Sequence, residues 1–245
     1  MKRITHQRQP AQHADRMNDL PSDLKIIRNP RARRLRLRLD RRHGFPVLTL
    51  PQGVPERTGL AFVEEHLDWI RDRQAERPEP IPFLPGTRIP FGDRELLITR
   101  TADGRGTTRL KGDCLLVGGA EAHCNRRVTD WLKLKARERL KQRSVLHAAR
   151  IGETVQRVRV ADQSSRWGSC SGRGVLSFNW RLILAPDHVL DYVAAHEVAH
   201  LREMNHGPRF HALLATLLDD PRVGDRWLVS NGQKLRRYGM PATDS

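Results

Sequence analysis

From Arg34 to Leu39 the chain alternates Arg-Leu-Arg-Leu-Arg-Leu. A period of two predicts a β-strand with one apolar and one basic face. A turn at His43-Gly44 and a second short strand over residues 47–50 follow. The period then lengthens: Leu60, Val63, Leu67 and Ile70 share one helical face after Pro55-Glu56, with Trp69 flanking. That spacing predicts a helix to about residue 74. Pro78, Pro80, Pro82 and Pro85 make residues 76–85 a connector. Strand-like pieces recur near 88–91, 95–101, 107–111 and 113–117. Residues 121–149 then read as a helix, with Val128, Leu132, Lys135 and Arg139 bracketing a heavily basic surface.

Residues 155–160 and 174–184 read as strands, separated by turn formers from Ser164 to Cys170. Pro186-Asp187 opens a helix to about residue 204. Pro208 opens another through residue 218, and Pro221 precedes a third that reaches about residue 237. Strands followed by helices indicate an α+β fold. The expected organisation is a disordered basic tail over 1–20, a β-rich region over 21–120 and a catalytic domain over 121–245.

Composition narrows this picture. The chain has 245 residues, of which 38% are hydrophobic. No run approaches the roughly 20 apolar residues a membrane helix needs. Residues 1–20 lack the apolar stretch of a secretory signal. Three cysteines, Cys114, Cys124 and Cys170, without Cys-x-x-Cys spacing argue against a disulfide framework and for a reducing compartment, with the cytoplasm expected. The formal charge is +16, and residues 1–50 hold 13 Lys/Arg against 4 Asp. Such a field favours anionic partners, nucleotides or nucleic acid among them, although a solvated face is the simpler reading of the Arg34–Leu39 strand.

The chemistry concentrates in His196-Glu197-Val198-Ala199-His200. Histidines four apart on a helix share a face and can hold one zinc ion, while the adjacent carboxylate handles a proton of the reacting water. A third ligand is wanted. Ten residues of unbroken helix would turn His206 by about 280° from His196, onto the wrong side. The helix must therefore stop first, and Asn205-His206-Gly207-Pro208 supplies a stop. Asp219, Asp220 and His211 are the rival third ligands. Arg166, Arg181 and Tyr238 are candidate oxyanion or substrate contacts.

Several spaced blocks agree with one known family: residues 165–171 (Ser-Arg-Trp-Gly-Ser-Cys-Ser), Asn179-Trp180-Arg181-Leu182, Tyr192-Val193 with the His-Glu-x-x-His block, and Asn205-His206-x-x-x-Phe210. Together they resemble the YgjP-like zinc metallopeptidases, relatives of the SprT-like proteases. The resemblance is tight over residues 164–210 and loose over 34–70. It implies a zincin-like catalytic domain, a small antiparallel sheet beside the metal-bearing helix. It also implies zinc on His196, His200 and His206, with Glu197 catalytic. The ligand spacing is shared with metzincins, but Glu203 stands where their glycine would be, and Met240 alone is no Met-turn.

The leading expectation is therefore a metallopeptidase acting on polypeptides, with residues 176–184 as a strand that could hold extended substrate. Two alternatives keep the zinc: a nucleotide phosphoanhydride hydrolase, and a nucleic-acid-associated SprT-like protease. No membrane partner is expected.

Overall fold

The computed structural model describes residues 20–40, 44–75 and 79–240. The expected tail over 1–20 falls outside them except for Leu20, as do His43 of the expected turn and Pro78 of the connector. Contacts divide the chain into two units, Met1–Arg77 and Pro78–Ser245.

The first unit contains β1 (Lys25–Asn29), β2 (Arg36–Leu39) and β3 (Pro46–Pro51), followed by helices α1 (Glu56–Glu64) and α2 (Leu67–Ala75). The strands lie in the order β1-β3-β2, with β3 parallel to β1 and antiparallel to β2. Leu48 and Leu50 bury one face of the sheet with Val63, Leu67 and Ile70. The single helix expected from 56 to 74 is two helices, for a local reason. The His66 imidazole bonds the Phe62 carbonyl at 2.8 Å, so the His66 amide turns to Val63 instead, at 2.9 Å. A side chain inserted into the i→i−4 ladder bends the helix there.

In the second unit, β4 (Arg88–Phe91), β5 (Arg94–Arg100), β6 (Arg109–Lys111) and β7 (Cys114–Val117) form a sheet in the order β4-β5-β7-β6. Ile89, Leu96, Ile98, Leu115 and Val117 from this sheet share one core with the helices that follow. The sheet therefore belongs with the second unit, although the sequence grouped it with the N-terminal region. A 3₁₀ turn (Glu121–His123) leads into α3 (Cys124–Arg150). Next come β8 (Arg157–Ala161), β9 (Gly168–Cys170) and β10 (Val175–Asn179), then α4 (Asp187–Ala199), α5 (Pro208–Leu217) and α6 (Pro221–Leu235).

Beside α4 lies the β8-β10-β9 sheet, with β10 in the centre, parallel to β8 and antiparallel to β9. The sheet is thus mixed rather than antiparallel. The strand expected to run to residue 184 ends at Asn179, because the Asn179 side chain accepts the Arg181 amide at 2.9 Å and turns the chain. The following 3₁₀ segment, Trp180–Leu184, is buried throughout. β9 forms where the sequence indicated only a turn.

Candidate metal centre

α4 begins where the Asp93 carboxylate accepts the Asp187 amide at 3.2 Å, an acid at the positive end of the helix dipole. It ends at Ala199, with His200 as its C-cap, five residues before the expected stop. No Gly or Pro marks this end. Tertiary contacts make it: the Arg202 guanidinium donates to the Ile151 carbonyl and to Glu153, tying the following turn to the end of α3. The chain then loops back through Asn205 to Pro208, the first residue of α5.

This early stop brings three imidazoles together. His206 Nε2 lies 3.0 Å from His196 Nε2 and 3.1 Å from His200 Nε2. The three ligand atoms all fall within 4.8 Å of one another. Asp219, Asp220 and His211 are not in this cluster. Beneath the rings sits buried Phe210 of α5, with centroids 5.0, 4.6 and 4.7 Å from those of His196, His200 and His206. His200 Nδ1 is 3.0 Å from the Glu203 carbonyl; donating there, it leaves Nε2 free as a lone-pair donor.

Burial, reinforced by the charges of His200, His206 and His211, pushes His196 down to about 4. Burial also lowers His200. Neutral imidazoles are ligands, not cations. The buried His196 Nδ1 has no hydrogen-bond partner, a cost that a helix chosen only for packing would avoid. Three nitrogen donors converging on one point fit a divalent metal of the zinc type.

Glu197 is 5% exposed, and burial pushes its carboxyl up to about 7 against the opposing pull of Arg166. Gly168 of β9 packs onto it so closely that a Cβ there would overlap the carboxylate. His196 and Glu197 open onto a cleft of about 410 Å³, walled by Trp167, Tyr192, Val193, Leu228 and Val229, with Asp225 at its side. The Tyr192 hydroxyl donates to Asp225 at 3.2 Å, and burial raises its pKa. Gly224 and Gly232 let α6 approach: a Cβ at either would crowd the Tyr192 or the Trp167 side chain.

The remaining candidates separate. Arg166 is exposed, and its charge reaches Glu197. Arg181 is buried, donates to the Asp162 carboxylate and, at 3.0 Å, to the Tyr238 carbonyl, and stacks on Trp180. The Tyr238 ring stacks on Phe83. Neither Arg181 nor Tyr238 lines the cleft; they fasten the chain after α6 to the core. Cys170 is pushed up to about 11 by burial and by Glu197, as befits an unreactive thiol. Sequence reasoning gave Phe210 and Asp225 no role. Phe210 stood in a recognisable block, whereas nothing local links Asp225 to Tyr192 across 33 positions.

No curated protein and no solved structure matches the chain. The family model of the YgjP-like metallopeptidase domain matches residues 33–231, a span that takes in β2, the three histidines, Glu197 and most of the cleft lining. The chain belongs to the YgjP-like metallopeptidase family.

Proposed function

We propose that the protein is a zinc-dependent peptidase in which His196, His200 and His206 hold the metal and Glu197 is the general base. The observation that carries this reading is a buried carboxyl beside three converging imidazoles, with Glu197 and His196 opening onto one cleft. Zinc held there would supply a Lewis acid that acidifies water and polarises a carbonyl. Glu197 takes the proton of the attacking water and returns it to the leaving amine. A carboxyl pushed up to about 7 is suited to both transfers at neutral pH. Arg166 offers a positive charge to the oxyanion or to substrate.

The sheet favours an extended polypeptide, although on a different strand from the one expected. β10 is the middle strand, so its backbone groups are already used on both sides. β9 is an edge strand, and its Gly168 lines the cleft. A peptide added along β9 would place its side chains in pockets and its carbonyls near Glu197. The walls Trp167, Val193, Leu228 and Val229 suit apolar side chains. The same lining disfavours a nucleoside triphosphate, because the cleft contains Asp225 and Glu197 and no Lys or Arg among its lining residues.

Zinc-loaded protein should cleave an unfolded polypeptide and leave nucleoside triphosphates intact. Glu197→Gln should keep the zinc and lose about 10²–10⁴-fold in kcat, the usual contribution of a general base. Metal analysis beside the two assays reads all of this. Preferential triphosphate hydrolysis, or full peptidase activity in the variant, would overturn the reading.

A further inference from the structure

The three-stranded sheet of the first unit has a second face, which carries a concentration of basic side chains. Strand register places Lys25, Val47 and Arg38 in one row and Ile27, Thr49 and Arg36 in the next. These side chains point away from the layer built by Ile26, Leu37 and Leu48, which packs with α1 and α2. Lys25, Arg36 and Arg38 are exposed, and so is Arg34, two positions before Arg36. From Lys25 to Asp40 the chain carries seven Lys/Arg and a single acid, Asp40.

α3 is as basic as this segment, but four of its nine cations are paired with carboxylates. Arg126 pairs with Asp130, Lys135 with Glu138, Arg139 with Asp187 and Arg143 with Asp191. Among the described residues no carboxylate pairs with Arg34, Arg36 or Arg38. Three unneutralised guanidinium groups in succession repel one another unless an anion lies between them, and a solvated face needs no such concentration.

We propose that this sheet face docks a nucleic-acid strand through its phosphates, with Arg34, Arg36 and Arg38 as the contact row. Arg36 and Arg38 occupy alternate positions of β2, about 6.8 Å apart, and Arg34 lies just before the strand, so the segment presents successive cations to a backbone of regularly spaced charges. Guanidinium groups engage phosphate oxygens in pairs. The face carries one exposed apolar side chain, Ile27 at 44%, and no apolar wedge for insertion into a lipid layer, so nucleic acid is favoured over an anionic membrane. Contacts made through phosphates leave base sequence unread. The inference is independent of the peptidase reading.

The test uses the full chain with a fluorescein-labelled single-stranded 20-mer, followed by anisotropy from low to moderate salt. Arg34, Arg36 and Arg38 are changed together to Gln, and the exposed α3 pair Arg137→Gln/Lys141→Gln serves as the control. The native chain should bind at low salt. The triple variant should bind at least about tenfold more weakly, and its log–log salt slope should fall by about 2, near 0.7 per lost phosphate contact. The α3 pair should stay within about twofold of the native chain, since it lowers the overall charge without removing a contact of the proposed row. Circular dichroism and Tm should be unchanged in both. The proposal is overturned if the native chain does not bind, if the triple variant binds as well, or if the α3 pair loses as much. Arginine-dependent capture by phosphatidylserine vesicles without oligonucleotide binding would also overturn it.

Discussion

α4 treats its polar side chains in two opposite ways. Toward α3, its carboxylates meet cations. Asp187 pairs with Arg139 at 2.5 Å, while Asp191 accepts Arg143 through both oxygens at 2.5 and 2.6 Å and lies 2.6 Å from His147 Nε2. These contacts pull Asp191 down to about 2 against the effect of its burial. On the cleft side, three imidazole nitrogens converge on one another, and Glu197 is buried with only the distant pull of Arg166. One side holds the helix in place. The other leaves polar groups short of partners, and such groups persist where chemistry needs them. The contrast locates function more sharply than either side does alone.

Three perturbations break or sharpen this contrast. The largest effect should come from Phe210→Ala. Phe210 is 1% exposed and packs against all three imidazole rings. Deleting a buried phenyl costs about 3–5 kcal/mol, read as a lower denaturant midpoint. Because the rings also lose their floor, zinc affinity should fall, whereas Phe210→Leu should restore much of both. A loss of stability with zinc affinity unchanged would show that the rings are held from elsewhere.

The second perturbation uses the chain stripped of any metal by chelation. In metal-free protein the Glu197 carboxyl stands at about 7, above its unfolded value, so it disfavours the fold once it must ionise. Its contribution is therefore harmless at pH 4, turns unfavourable as pH rises above about 4.5, and reaches its full cost once pH has passed 7. Stability of the metal-free chain should fall by up to about 3 kcal/mol over that window relative to metal-free Glu197→Gln. Denaturant melts of the two proteins at pH 5 and pH 8 measure it. Parallel pH dependences would mean that Glu197 is not held in a low-dielectric site.

The clustering of the histidines was legible because its signal is local. Two histidines four apart with a glutamate between them need only helical geometry to share a face. His206 was legible for a subtler reason, since an unbroken helix would have put it on the wrong side. Where the helix stops was not legible, because Arg202 reaches the Ile151 carbonyl from 51 residues away and no Gly or Pro announces it. The same applies to Arg181. Its place in a shared sequence block advertised importance, but only the fold shows its guanidinium spent on Asp162 and the Tyr238 backbone. In the first unit, periodicity found β2 and β3 and missed β1, whose Lys-Ile-Ile-Arg-Asn has no clean alternation. The helix break at His66 depends on a side-chain bond that period-counting cannot register.

The smallest effect belongs to the satisfied side of α4, and its sign is opposite to that of Glu197. Asp191 is lowered from the usual carboxylate range to about 2, so its pairing stabilises the fold above about pH 4 and is lost as pH falls from 4 to 2. Asp191→Asn should cost at most about 2 kcal/mol at pH 6, and the gap to the native chain should close by pH 2–3. Because Arg143 remains 42% exposed, water recovers part of its lost interaction, and the measured cost should sit below that ceiling. Zinc content and the zinc-dependent activity at pH 7 should change little, since Asp191 faces α3 and not the rings. If Asp191→Asn instead emptied the metal site while the protein stayed folded, the two sides of α4 would be one cooperative device. The ion pairs would then have to be counted as part of the centre itself.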